Sequence, residues 1–194
     1  MSDQLLPADD PSVLAAAELI RGRRTINLFD PDTVDPAVLI DAIEVARWAP
    51  NHKLTEPWRF YLLGPETLSA ASACWASYEA SAKGEAAGEA RRKRLAAVPG
   101  HFVVTSRRDD NPVIDLENYA ASCCAMQNLM LYLWQRGVGV KWTSGAITRE
   151  AGFYDVLQID AGKERIVGYF WYGRAGLAGQ QKRGSVDEII VRKP

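Results

Sequence analysis

Near the N-terminus, Arg23, Arg24 and Thr25 follow closely on a further arginine and form a dense cationic segment that ends in a hydroxyl donor. The pair Asp10–Pro11 predicts the start of a helix that runs to about Gly22, so the arginines come at its C-terminal end. One interpretation is that they only complement the negative end of the helix dipole. The other is a side-chain clamp for a phosphate, since guanidinium groups match phosphate oxygens bidentately. The residues alone leave both interpretations open.

The loop Trp48–Trp58 (WAPNHKLTEPW) is the second candidate segment, because it mixes two tryptophans and two prolines with polar side chains. It is too polar for a protein core and too rich in aromatic residues for an ordinary surface connection. We therefore interpret it as one side of a ligand site, with Trp48, Pro50 and His52 as candidate residues. Trp48 has an alternative interpretation as a core residue.

A third candidate is the small-residue turn Thr143–Ala146, which follows a short apolar strand that ends at Trp142. Ser144 and Gly145 let a ligand approach the backbone closely and offer N–H groups to it.

The chain lacks the sequence signatures of a protein-based catalytic centre. The motifs GxSxG and HExxH are missing, as is a GxGxxG after a strand, and no two carboxylates have a recognisable catalytic spacing. The histidines, His52 and His101, lie far apart without a cysteine pair, which argues against a metal site. We interpret His101, at the start of a strand, as structural rather than as a base. An enzyme with so few reactive side chains needs a cofactor for the difficult step.

The pattern of apolar residues and helix breakers predicts helices interleaved with strands. Strands are predicted over 58–63, 101–106, 138–142 and 165–173, with an edge strand over 186–191 on an extended arm, residues 174–194. Helices are predicted over 11–22, 36–49 and 114–136, and from a cap at Thr148 to about 157. Within 65–97 two helices are predicted, with interruptions at Gly84 and Gly88. This order predicts an α+β or α/β fold with a central mixed sheet between helical layers.

Two helical regions carry a further expectation. Residues 76–97 are either a mobile flap that covers a substrate site or a solubilising helical segment without a role. The helix over 114–136 is apolar on nearly all sides and must therefore be buried. In a chain of 194 residues, the simplest way to bury it is against the matching helix of a second subunit.

Length and composition predict one globular domain, residues 1–194. A net charge of −1 lacks the basic excess of a nucleic-acid-binding module. The N-terminus has no signal pattern, and no apolar run is long enough to span a membrane. The three cysteines have no CxxC spacing and are interpreted as buried thiols in a reducing compartment, so the chain is predicted to be cytoplasmic.

Taken in order, these segments resemble the flavin-dependent nitroreductases, and most of all the small, minimal NAD(P)H nitroreductases. Arg23-Arg24-Thr25 is similar to the family's Arg-Arg-Ser motif, and residues 49–60 (APNHKLTEPWRF) are similar to its loop Ala-Pro-(Ser/Asp)…Gln-Pro-Trp-Arg-Phe. Residues 137–148 (GVGVKWTSGAIT) and 166–173 (IVGYFWYG) resemble the family's Gly-Phe-Gly…Trp-(Arg/Thr)-Ser-Gly segment and its last buried strand. The sequence departs from the pattern at four places: Trp48, Leu54, Glu56 and Arg174-Ala175.

The resemblance implies a nitroreductase-like fold and a homodimer that binds FMN at the subunit interface, with NADPH or NADH as reductant. It implies that Arg23, Arg24 and Thr25 contact the FMN phosphate or ribityl chain. It places the loop of Trp48, Pro50 and His52 near the flavin from the other subunit, and Trp142, Thr143, Ser144 and Gly145 beside the ring system. Arg183, with Lys182 as a substitute, is either a second phosphate ligand from the C-terminal arm or a solvated residue.

The expected activity is a ping-pong hydride transfer through flavin N5 from NAD(P)H to a nitroaromatic, a quinone or a similar electron-poor acceptor, with no catalytic side chain required. One alternative is a flavin-dependent dehydrogenase or dehalogenase. The other is a non-catalytic flavin-binding dimer.

Overall fold

The structure of the chain, a computed structural model, describes residues 5, 7–176 and 178–194. These residues form an α+β arrangement, which confirms the predicted class. The helices are α1 Pro11–Gly22, α2 Pro36–Ala46, α3 Pro65–Lys83, α4 Glu85–Ala96, α5 Pro112–Gln135 and α6 Ala151–Leu157. The strands are β1 Trp58–Leu62, β2 Gly100–Arg107, β3 Val138–Thr143 and β4 Glu164–Arg174. Short 3-10 turns cover His52–Leu54, Ala146–Arg149 and Val186–Glu188.

Local capping signals decide where the first two helices begin. The Asp10 carboxylate accepts a hydrogen bond from the Ser12 N–H at 2.9 Å, and a proline occupies the first turn. The Asp35 carboxylate binds the Ala37 N–H at 2.9 Å in the same way. Both caps satisfy backbone N–H groups that the first helical turn leaves without partners. Thr148 does not cap a helix as predicted, because its hydroxyl donates to the Gly145 carbonyl inside the preceding 3-10 turn.

The four strands form one sheet in the order β1-β2-β4-β3, and every neighbouring pair is antiparallel. Among the described residues, parallel pairing is limited to an isolated bridge between Thr25 and Val140. This corrects the expectation of a mixed sheet. Apolar periodicity identifies strands but does not give the direction in which a strand meets its neighbour.

Hydrophobic side chains alternate between the two faces of the sheet and build a core on each. Phe102 and Phe170 stack at 4.7 Å on the face covered by α2 and α5. Tyr169 and Trp171 lie on the opposite face, against α3 and α6. The sheet is therefore covered on both faces, as a layered α+β fold requires.

One side of α5 is exposed in the single chain. Val113 and Leu116 are 62% and 64% exposed, and Ala120 and Cys124 continue the same side at intervals of three or four residues. The prediction buries this helix against the matching helix of a second subunit, and the single chain leaves that side uncovered, so its burial in a dimer stays a prediction. The interpretation of all three cysteines as buried is wrong for the described chain, because Cys124 is exposed.

Helices α3 and α4 form an antiparallel pair around Gly84, which has a φ of 91°. Gly88 does not interrupt α4, contrary to the prediction. A Cβ at Gly88 would lie 2.7 Å from the Ala76 carbonyl oxygen and 2.8 Å from the Ala80 Cβ, so glycine allows the two helices to cross closely. The expectation of a mobile flap over 76–97 remains a prediction.

The described part of the C-terminal arm, residues 174–176 and 178–194, is largely exposed. The predicted edge strand over 186–191 is wrong, because Val186–Glu188 form a 3-10 turn, in which the Ser185 hydroxyl accepts from the Asp187 N–H at 3.2 Å. A strand needs a neighbour to form its ladder of hydrogen bonds, and no described residue of the single chain pairs with this segment. None of the described helices has the length and hydropathy needed to cross a lipid bilayer.

Candidate functional site

The C-terminal end of α1 positions the predicted arginines. Arg23 caps the helix, and its N–H donates to the Leu19 carbonyl at 3.1 Å before the chain turns into an extended conformation. The Arg24 guanidinium donates to the carbonyls of Arg21 at 2.5 Å and Arg23 at 3.1 Å. The Arg24 side chain thus serves the exposed carbonyls of the helix end, which supports part of the helix-end interpretation.

Helix capping does not account for the whole cluster. Burial lowers the pKa of the Arg23 guanidinium, and the positive charges of Arg24 and Arg183 lower it further. Arg183, from the far end of the chain, is therefore close enough to Arg23 to repel it. Among the described residues, no ion pair involves any of these three arginines. Three guanidinium groups without a carboxylate partner are suited to an anion.

The segment after the arginines runs beside β3. Thr25 forms a parallel bridge with Val140, and the Ile26 N–H donates to the Val140 carbonyl at 3.2 Å. Gly139 makes this close approach possible, because a Cβ there would lie 2.4 Å from the Ile26 Cγ1. The cationic cluster is thereby held beside the first half of β3, and Thr143 stands at the other end of the same strand.

At the end of β3, the Trp142 side chain is held on the sheet. Its indole N–H donates to the Val167 carbonyl at 3.0 Å, and its ring stacks on Phe170 at 5.4 Å. Gly168 leaves room for the indole, since a Cβ there would lie 2.2 Å from the Trp142 Nε1. The Trp142 ring is therefore fixed in position before any ligand arrives.

The next three residues are available to a ligand. The Thr143 hydroxyl is buried and has no hydrogen-bond partner among the described residues, which is costly unless a ligand supplies one. Ser144 is exposed, and no atom lies within 4 Å of the position that a Gly145 Cβ would occupy. An elongated ligand with an anionic end at the arginines and a polar ring system at Thr143–Gly145 fits this arrangement.

The loop after α2 has an unusual backbone held by a few polar contacts. Lys53, Leu54 and Glu56 have φ values of 54°, 52° and 42°, which are strained for residues with side chains. Two hydrogen bonds of 2.8 and 3.1 Å join the Glu56 carboxylate to Arg47. The Arg47 guanidinium holds the pKa of the Glu56 carboxyl below its ordinary value, and the Asn51 amide oxygen accepts from the Glu56 N–H at 2.9 Å.

This loop presents its aromatic and cationic side chains to solvent. Trp48 is 82% exposed, so its interpretation as a core residue is wrong. Pro50 and His52 are also exposed. Within the described part of one chain, no hydrogen bond or ion pair connects the loop to Arg23–Thr25 or to Thr143–Gly145. The structure therefore places Arg183 near Arg23 and Thr25 beside β3, and it shows no polar contact from Trp48, Pro50 or His52 to these residues; a shared site stays a prediction.

Three residues near Ser144 were not identified from the sequence. Tyr119, Arg149 and Arg165 line a cavity of about 360 Å³ together with Ser144. They come from α5, from the 3-10 turn after β3 and from β4, so no local spacing links them. A larger cleft of about 900 Å³ lies among Arg59, Arg107–Asp110 and Gly162–Glu164, and it includes none of the predicted site residues.

His101 has a structural environment, as predicted. Its two ring nitrogens contact the Leu95 carbonyl at 3.2 Å and the Tyr169 hydroxyl at 2.9 Å, and the residue is buried. Burial lowers the pKa of His101 to about 4. The imidazole is therefore neutral at physiological pH and remote from solvent.

Known proteins match this chain in sequence. The family model described as "Nitroreductase family" matches residues 20–174. The Bacillus subtilis protein named "Putative NAD(P)H nitroreductase YfhC" is 36% identical over 134 residues, which are 67% of this chain and 69% of that protein.

Solved structures match the fold. A nitroreductase-like family protein from Bacillus cereus superposes with a TM-score of 0.82 at 28% identity, over 100% of this chain and 98% of the other. The FMN-dependent nitroreductase NfnB from Mycobacterium smegmatis, in complex with NADPH, gives a TM-score of 0.74 at 16% identity, over 95% of this chain and 100% of that one. These matches confirm the nitroreductase-like fold that the sequence motifs predict.

Proposed function

Because the chain belongs to the nitroreductase family, we propose that it is an NAD(P)H-dependent FMN oxidoreductase that reduces nitroaromatic compounds, quinones or similar electron-poor acceptors. The observation that carries the proposal is the group of three arginines, which have no carboxylate partner among the described residues, next to β3, the strand whose last residue has an unsatisfied buried hydroxyl. NAD(P)H and FMN both appear in the names of the matched proteins, which supports them as the cofactors.

Arg23, Arg24 and Arg183 would hold the FMN phosphate. A phosphate monoester carries about −1.5 to −2 charges at neutral pH and offers several acceptor oxygens to guanidinium donors. Its charge would relieve the repulsion that lowers the pKa of Arg23. Thr25, beside Val140, would contact the phosphate or the ribityl chain next to it.

Trp142, Thr143, Ser144 and Gly145 would border the ring system. The stacked and hydrogen-bonded Trp142 limits the space on one side, and the Thr143 hydroxyl would gain the partner that the free protein lacks. Exposed backbone N–H groups at Ser144 and Gly145 would donate to ring heteroatoms and would stabilise negative charge there. When bound, FMN accepts hydride from NAD(P)H and passes the electrons to the acceptor, so the protein needs no reactive side chain.

We further propose a homodimer in which Trp48, Pro50 and His52 of one subunit approach the FMN held by the other. Two features support it. The apolar side of α5 that includes Val113 and Leu116 is exposed in the single chain, and the Trp48 side chain, before the strained loop, is largely exposed as well. An apolar helix face and an exposed tryptophan are typical of an interface.

The reducing cytoplasm is the compartment that we propose. The described cysteines, Cys74, Cys123 and Cys124, are all free thiols, and a reductant of the NAD(P)H type is available there. Cell fractionation with an antibody against the chain tests this location.

The decisive experiment is spectroscopic. Purified protein is saturated with FMN, freed of excess cofactor, and titrated anaerobically with NADPH and then with NADH. We expect one FMN per chain, loss of the oxidised flavin absorbance with at least one nicotinamide cofactor, and its return on adding a quinone or a nitroaromatic compound. A dimer in solution, observed by light scattering, is expected alongside.

Other outcomes favour the alternatives. A yellow protein that ignores both nicotinamide cofactors but is reduced by an organic substrate would be a dehydrogenase. A flavin that no donor reduces would indicate a non-catalytic binding protein, and a chain that fails to retain FMN would refute the proposal.

A further inference from the structure

A cavity of about 360 Å³ opens beside Ser144, on the side of the candidate site away from the arginine cluster. Tyr119 of α5, Arg149 of the 3-10 turn, and Tyr154 and Arg165 line it. Its volume suits a single aromatic ring with a substituent, and two of its sides are tyrosine rings.

The two arginines of this cavity differ in their partners. Arg165 forms an ion pair with Asp115, so its charge is compensated. Arg149 is exposed and forms no ion pair with any described residue. The cavity therefore has one positive charge in excess.

Phenolic groups accompany this charge. Burial and the neighbouring Cys123 thiol raise the pKa of Tyr119, while the guanidinium groups of Arg165 and Arg149 oppose that rise, so both cations lie near the Tyr119 hydroxyl. The Tyr154 hydroxyl accepts from the Ile166 N–H at 2.9 Å, which leaves its own proton free to donate. The cavity thus offers the Arg149 guanidinium and the Tyr154 hydroxyl as donors to an anion, beside the Tyr119 side chain.

We propose that this cavity is a subsite for an anionic substituent of the acceptor, with Arg149 as the residue that determines the preference. Among electron-poor acceptors, aromatic compounds bearing a carboxylate would then be favoured over neutral analogues of the same size. This inference rests on the proposed function, because Ser144 connects the cavity to the residues assigned to the flavin ring. It goes further by naming the class of acceptor.

A comparison of two acceptors of matched size tests the preference. The flavin-loaded enzyme is assayed with 4-nitrobenzoate and with 4-nitrobenzamide, which differ in charge but hardly in size. We expect kcat/KM for the anion to exceed that for the amide by roughly tenfold, since one charge-assisted hydrogen bond in a half-open cavity has this effect. The ratio should fall to about one in R149A, invert in R149E, and be largely kept in R149K. R92A, which removes an exposed arginine of α4, is the matched control and should keep the wild-type ratio.

A binding measurement separates this inference from the proposed function. Benzoate and benzamide cannot be reduced, and calorimetric titration of the flavin-loaded protein gives their affinities without turnover. Tighter binding of benzoate to wild type, lost in R149A and kept in R92A, would support the subsite. Equal binding of both compounds, or a preference that survives in R149A, would overturn it. Turnover of both nitro compounds without preference would overturn the subsite alone, whereas absence of flavin reduction by NADPH and NADH would overturn the proposed function.

Discussion

Replacing Arg23 should separate ligand binding from folding. In R23A the FMN phosphate loses one guanidinium, and a hydrogen bond to a charged group contributes roughly 1.5–3 kcal/mol. Arg23 is only partly buried, so we take the lower end, about 1.5 kcal/mol, which corresponds to an approximately tenfold rise in the Kd for FMN. R23K keeps the charge without the bidentate geometry and should lie between R23A and wild type.

The same change should have little effect on the free protein. R23A removes a favourable interaction of the Arg23 charge with the C-terminal end of α1, of roughly 0.3–1 kcal/mol. It also removes the repulsion of this charge by Arg24 and Arg183. These effects oppose each other, so we expect the free energy of unfolding without FMN to change by less than about 1 kcal/mol. If Arg23 served only the fold, R23A would lower the free energy of unfolding and leave the Kd for FMN unchanged.

Two titrations measure these quantities. Quenching of FMN fluorescence gives the Kd for each variant, and urea unfolding of the flavin-free protein gives its stability. R21A is the matched control, because Arg21 lies in the last turn of the same helix and is exposed. An R23A protein that binds FMN within twofold of wild type, or that loses several kcal/mol of stability without FMN, would refute the clamp.

Three further predictions follow from single contacts. The pKa of His101 is about 4 in the native protein against an ordinary 6.5, so between these pH values only the unfolded state binds a proton at His101. The free energy of unfolding should therefore fall by about 3 kcal/mol as the pH decreases from about 6.5 to about 4. Urea unfolding at stepped pH measures this loss, which should be absent in H101Q. T143V removes an unsatisfied hydroxyl, so the flavin-free variant should be as stable as wild type or slightly more stable. Its Kd for FMN, measured by equilibrium dialysis, should rise severalfold. Lower stability with an unchanged Kd would contradict this role of Thr143. G168A should displace the Trp142 indole, reduce the free energy of unfolding by roughly 1–3 kcal/mol and change the near-UV circular dichroism. A variant with the melting temperature and spectrum of wild type would contradict this prediction.

Much of the local structure follows from neighbouring residues. Asp10 and Asp35, each followed by proline, begin helices because a side chain one or two residues away satisfies the first N–H groups. Gly137 ends α5 with a φ of 73°, where other residues would be strained. Such signals act within one turn of the chain, which is why the sequence predicts them.

Predictions that depended on distant partners were less successful. The directions of the four strands, the packing of Gly88 on Ala80 and the 3-10 turn at Val186–Glu188 all depend on what lies beside these segments in space. Apolar periodicity indicates which face of an element is buried, but not against which element. Cys124 shows the same limit, because a residue in an apolar helix is buried only if another surface covers it.

The residue types in the sequence determined the chemistry that we propose: guanidinium groups for a phosphate, a small-residue turn for a flat ring, and a cofactor in place of a catalytic side chain. The tertiary structure decided which of them meet. Arg183 lies near Arg23 from the opposite end of the chain, and Arg149 shares a cavity with Tyr119 although no motif connects them. Electrostatic and hydrogen-bonding interactions act over a few ångströms of space whatever the separation along the chain, so only the fold could bring these groups together.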